Sequence, residues 1–134
     1  MHKIAQGYIE EENPLLIFQT WDNVIKLFSS IDERADEESL EEYNKLPEDV
    51  MVYRGVWTKD RFKPFTGVSW TIDYKVAEMF ALRFQPLGGE SYVLKGEIRK
   101  KDILYFTNMR QESEVILNPD DMIWLDTYKE WGED

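Results

Sequence analysis

The chain has 134 residues, 43% of them hydrophobic and 14% aromatic, and a formal net charge of −11; it holds no cysteine and one histidine, His2. This length and composition fit a single domain with a substantial core, and they exclude disulfides, thiolate nucleophiles and cysteine-ligated zinc while arguing against any metal site or histidine base. The acidic balance makes direct nucleic-acid binding unexpected, and with no run long enough to span a membrane and no signal-peptide pattern at the start, a cytoplasmic protein is expected.

Residues 1–12 end in Glu10-Glu11-Glu12 and read as a loose or edge segment. Asn13-Pro14 is a helix start, because Asn caps and Pro at the first helical position loses no hydrogen bond. Ile17, Phe18, Trp21, Val24, Ile25 and Phe28 then recur at helical spacing, which predicts an amphipathic helix over about 14–29. Between Asp32 and Glu42 seven of eleven residues are acidic. Leu40, Tyr43 and Leu46 give this stretch a weak helical face, and a short helix is predicted at about 37–46. The plain reading of the acid run is a solvated face; the functional one is a phosphate-mimicking patch.

From Val50 the period changes. Val50–Trp57 is rich in β-formers and reads as a strand, with Arg54 in its middle. Lys59–Pro64 reads as a loop and Thr66–Thr71 as a second strand. Asp73 caps a helix at about 74–84, with Val76, Ala77, Phe80 and Phe84 on one side. Pro86–Gly89 is a turn. Ser91–Ile98 alternates and reads as a half-exposed strand. Lys100–Asp102 turns the chain into a buried strand, Ile103–Phe106. Thr107–Gln111 reads as a loop, Glu114–Leu117 as a strand, and Met122–Tyr128 as the last strand. The order predicts one α+β domain over residues 1–134. It has a helical part to about residue 48, and from 49 a largely antiparallel β core with one inserted helix.

Polar groups fall at three separated places in these elements: Arg54; Ser69 and Thr71; Glu112 and Glu114. In an extended chain the two glutamates, two residues apart, face one side. A carboxylate pair beside a core is costly unless it is paired, solvated or used. Each place has a structural reading. Arg54 can pair with Glu114 for stability alone, Ser69 and Thr71 can be strand and cap residues, and the glutamates can be an exposed strand entry.

In order and flanks the three places resemble the mono-ADP-ribosyltransferase family, in its Arg–Ser–Glu class. The resembling motifs are Tyr53-Arg54-Gly55, then Ser69-Trp70-Thr71-Ile72-Asp73 followed by Val76-Ala77-Glu78-Met79-Phe80-Ala81, then Glu112-Ser113-Glu114-Val115-Ile116-Leu117-Asn118-Pro119. Together they span about residues 50 to 119. The resemblance implies a split antiparallel sheet core. It also implies a transferase that uses NAD as substrate to modify a protein acceptor, with arginine as the implied acceptor residue. Glu114 is implied as the catalytic carboxylate, Arg54 as the holder of the NAD phosphate and ribose side, and Ser69 as the brace. Gly55 would offer its backbone to the nicotinamide amide, and Glu112 would orient the acceptor. Tyr53, Trp70, Thr71 and Phe80 complete the implied NAD-binding set, and Thr107–Gln111 matches the target-recognising loop. The chemistry suits these residue types: the sugar becomes oxocarbenium-like, a carboxylate stabilises that charge, and nicotinamide leaves neutral without a strong acid.

Two departures stand out. Trp70 replaces the usual small hydroxyl residue; it either points into the core, leaving Ser69 and Thr71 on the site, or alters the cofactor pocket. The chain is also short for the family. By context rather than by any residue, the resemblance suggests an effector of a phage or toxin system acting in a host cytoplasm. The alternative is a non-catalytic binder on the same fold, holding a nucleotide or blocking a protein partner with its acidic surface.

Overall fold

A computed structural model of the chain describes residues 23, 25–29, 33–58 and 67–132. The acidic segment before Asn13, the helix start at Asn13-Pro14 and the expected loop at Lys59–Pro64 lie outside the described residues. Of the helix expected at 14–29, residues 25–29 are helical, and Phe28 is buried against Tyr105 with ring centroids 5.4 Å apart.

The acid run forms a 3-10 turn, Glu37–Ser39, and a short helix α1, Leu40–Asn44. Tyr43 and Leu46 pack against the core as expected, but Leu40 stays exposed. The remaining elements are β1 (Asp49–Thr58), β2 (Ser69–Thr71), α2 (Tyr74–Leu82), β3 (Glu90–Arg99), β4 (Tyr105–Thr107), β5 (Glu114–Ile116) and β6 (Trp124–Trp131). The protein is α+β: among the described residues six strands form one sheet in the order β4-β5-β2-β1-β3-β6, and every pairing of neighbouring strands is antiparallel.

The sheet is uneven. β1 pairs with β3 along its whole length, from Asp49↔Arg99 to Thr58↔Glu90. β1 and β2 share only Tyr53↔Thr71. Two three-stranded halves, β4-β5-β2 and β1-β3-β6, therefore meet at one paired position.

Strand alternation sorts the side chains. One face carries Val50, Val52, Leu94, Ile98, Phe106 and Val115, which form the main core with Ile103 and Leu117. The other face carries two smaller clusters. Val68, Leu104, Tyr105 and Ile116 pack around Phe28, and Val93 packs against Ala77 and Ala81 of α2. Asp73 caps α2 as expected, its carboxylate accepting from the Lys75 N–H at 2.9 Å. Small residues let α2 lie close to β1. A Cβ on Gly55 would sit 1.9 Å from the Ala77 carbonyl oxygen and 2.6 Å from the Ala81 nitrogen, so only glycine fits there.

Several expected boundaries and exposures change: β2 starts at Ser69, α2 ends at Leu82 and β6 runs on to Trp131. β4 starts at Tyr105, because the Ile103 N–H closes the preceding turn onto the Lys100 carbonyl; Thr107 is then a strand residue and not part of the loop. β6 starts at Trp124, because the Met122 N–H closes a turn onto Pro119. β3 is buried on both sides at Val93 and Leu94, since α2 covers the face expected to be exposed. Among the described residues β6 ends the sheet, with Trp124, Leu125 and Tyr128 exposed.

Candidate active site

The site lies where β1 and β2 part. Tyr53, Thr71 and Glu114 stand opposite one another across β1, β2 and β5, through the pairs Tyr53↔Thr71 and Thr71↔Glu114. Their side chains share the face that α2 and Phe28 partly cover, and Ser69 joins them two residues before Thr71.

Ser69 connects the three motifs. Its hydroxyl donates to Glu114 Oε2 at 3.2 Å, and its carbonyl accepts from Arg54 Nη1 at 2.8 Å. Arg54 leaves β1 on the opposite face, between Val52 and Val56. Its guanidinium reaches across the opening between the two strands, where the backbone ladder has stopped. Gly67 makes the room: a Cβ there would be 2.8 Å from Arg54 Cζ and Nη2. Residues 15 and 45 positions from Ser69 thus meet at one serine.

Glu114 is 4% exposed, a charged residue type among apolar neighbours. Burial pushes its carboxyl up from the ordinary 4.5 to about 7; the Ser69 hydrogen bond opposes the shift, Glu112 adds to it by like charge, and Arg110 opposes it. A carboxyl at this value is half ionised near neutrality. Its negative form is available to stabilise a cation developing beside it, at the cost of holding charge in an apolar setting.

The approach to Glu114 is not the extended entry expected. β5 begins at Glu114 itself, and both residues flanking Glu112 are left-handed, Gln111 at φ 58° and Ser113 at φ 46°. Glu112 is therefore not placed beside Glu114 by strand alternation. It comes close because the backbone folds back: the Thr71 hydroxyl donates to the Glu112 carbonyl at 2.6 Å, and the Ile72 N–H to the Ser113 carbonyl at 3.2 Å. The half-buried Glu112 carboxylate lies 3.8 Å from Arg110 Nη2.

The other expected site residues divide. Trp70 is 2% exposed in the main core, and its indole N–H donates to the Gly67 carbonyl at 2.8 Å. Of the two placements open for it, the indole takes the core, on the face opposite Ser69 and Thr71, which are themselves buried. Tyr53 lies on the site face and packs edge-on against Tyr74 and Tyr128. Gly55 lies under α2, so helix packing alone accounts for it. Phe80 is half-buried on α2. Sequence reasoning missed Gly67 and Asn108. Asn108 accepts from the Ser113 N–H at 2.9 Å and shapes the turn before Glu114. The only local signal for it was that Asn favours turns.

Among the described residues no group of His, Cys, Asp or Glu could hold a metal ion, and no helix is long and apolar enough to cross a membrane. No family model matches the chain, and no curated protein or solved structure matches it.

Proposed function

We propose that the protein is an NAD-dependent mono-ADP-ribosyltransferase that modifies a protein, with arginine as the acceptor. The observation that carries the reading is the meeting of Arg54, Ser69 and Glu114 at one serine, where two half-sheets part. Three residues that resemble one family's motifs had no local reason to converge. The division of the sheet also supports the family's split core, and Trp70, turned into the main core, does not occupy the face of Ser69 and Glu114.

In this reading the ribose–nicotinamide C–N bond breaks, and its electron pair leaves with neutral nicotinamide. The Glu114 carboxylate lies beside the ribose and stabilises the positive charge that develops. Ser69 holds that carboxylate by its hydroxyl. Arg54 supplies the cation that a diphosphate needs in a chain of net charge −11. A guanidine nitrogen of the acceptor, oriented by Glu112, then bonds to the ribose carbon and gives its proton to solvent. Because the ionised Glu114 is the working form, turnover is expected to rise as pH passes about 7.

The test is nicotinamide release from NAD by the purified protein, compared with Glu114→Gln. A loss of about 10²–10³-fold is expected, the size seen when a single electrostatic stabiliser is removed. No release by the wild-type protein, with or without a guanidine acceptor, would remove the reading.

A further inference from the structure

The loop between β4 and β5 holds two left-handed residues that are not glycine, and such conformations cost roughly 1–3 kcal/mol each. Something must hold them. Both oxygens of Asn108 are engaged in doing so. Its carbonyl accepts from the Gln111 N–H at 2.9 Å. Its side-chain oxygen accepts from the Ser113 N–H at 2.9 Å and from the Ser113 hydroxyl at 3.2 Å. These bonds reach both left-handed residues, one on each side of Glu112.

Asn108 is in turn fixed from the acidic segment. Its backbone N–H donates to the Ser39 hydroxyl at 2.7 Å, and its side-chain amide donates to both oxygens of Glu42, at 2.9 and 3.1 Å. Ser39 is buried, and its hydroxyl donates to Asp36 at 2.9 Å. The loop is thus pinned on one side by Thr71 of β2 and the following Ile72, and on the other by Ser39 and Glu42. A charge run that reads as a solvated face supplies the anchor for a turn 66 residues away.

We infer that Asn108 is a positioning residue, clamped to Glu42 and Ser39 so that the loop presents Glu112 to the acceptor. The clamp is a matter of this chain's geometry; only the role given to Glu112 rests on the transferase reading. Asn is needed because the position both donates, to Glu42, and accepts, from Ser113.

A donor–acceptor exchange tests it. Asn108→Asp keeps an acceptor for Ser113 but sets a carboxylate against Glu42. Adding Glu42→Gln to that variant restores one bond with the roles reversed. Two readouts are taken: amide hydrogen exchange at Gln111 and Ser113, and the ratio of agmatine ADP-ribosylation to NAD hydrolysis. Asn108→Asp should speed exchange and lower the ratio, each by about tenfold, as expected for a lost hydrogen bond to a charged group. The double variant should return both to within about twofold of wild type. Unchanged exchange in Asn108→Asp, or no recovery in the double variant, would overturn the clamp. Faster exchange with an unchanged ratio would overturn its role in presenting Glu112. If the wild-type protein turns over no NAD, the transferase reading fails, and the clamp is decided by the exchange data alone.

Discussion

Glu114→Gln should make the protein more stable in alkali and leave it unchanged in acid. The carboxyl goes from the ordinary 4.5 to about 7 in the folded protein, chiefly through burial. At about 1.4 kcal/mol for each pH unit, ionised Glu114 opposes folding by about 3 kcal/mol. The sign follows from proton uptake. Between these two values the folded state binds more protons than the unfolded state, so this residue's effect on stability falls as pH rises from 4.5 and levels off above about 7. Glutamine carries no charge and keeps an oxygen to accept from the Ser69 hydroxyl, so its packing is nearly that of the protonated acid. Denaturant unfolding of both proteins at pH 4, 7 and 9 measures the difference. Curves that coincide in acid and separate by about 3 kcal/mol in alkali are expected. A constant difference at all three pH values would show that the carboxyl is not held where the structure holds it. In the transferase reading the same variant loses activity, and the destabilising charge would then be one the site uses.

Three further outcomes are expected. Gly55→Ala should destabilise by about 1–3 kcal/mol in denaturant unfolding, because the new methyl meets helix backbone that cannot turn aside; a change under about 0.5 kcal/mol would show that α2 does not lie so near β1. Glu112→Gln should reduce transfer to a guanidine acceptor while sparing NAD hydrolysis, whereas Glu114→Gln reduces both, and equal losses in the two variants would refute this division of labour. In the acid run, neutralising Glu41 should change stability by no more than about 0.5 kcal/mol, since its ion pair with Lys45 is exposed on both sides. Glu42→Ala should cost about 0.5–1 kcal/mol in the same unfolding assay, because it removes the charged acceptor of an exposed Asn108 amide.

Elements with a local cause were legible in the sequence. Asp73 followed by an apolar stripe marked α2, and the β-formers from Val50 marked β1. What was not legible depended on distant partners. Val93 read as one face of a half-exposed strand because nothing local tells that α2 covers it. The ends of β4 and β6 moved because Ile103 and Met122 close turns that compete with the ladder. The site shows the same division. Arg54, Ser69 and Glu114 could be named from their flanks, but the bonds through Ser69 depend on how β2 lies between β1 and β5. The two glutamates were expected on one extended face. The left-handed Ser113 that breaks this face is held by Asn108 and, through it, by Glu42, a contact spanning 66 positions that no window of sequence contains.

The outer rim of β6 has a consequence for how the protein behaves in solution. Among the described residues the eight of β6 close the sheet with Trp124, Leu125 and Tyr128 exposed, and such a rim is a template on which another copy can add a strand. Nothing in the strand forbids this; Asp126, Lys129 and Glu130 only discourage it. The stronger barrier is colloidal. At neutral pH each molecule carries a net charge of −11, and copies repel before their edges can meet. That repulsion fades toward the isoelectric point near 4.6 and is screened by salt at any pH. The acid that anchors a loop at one end of the molecule therefore also keeps the sheet at the other end from growing.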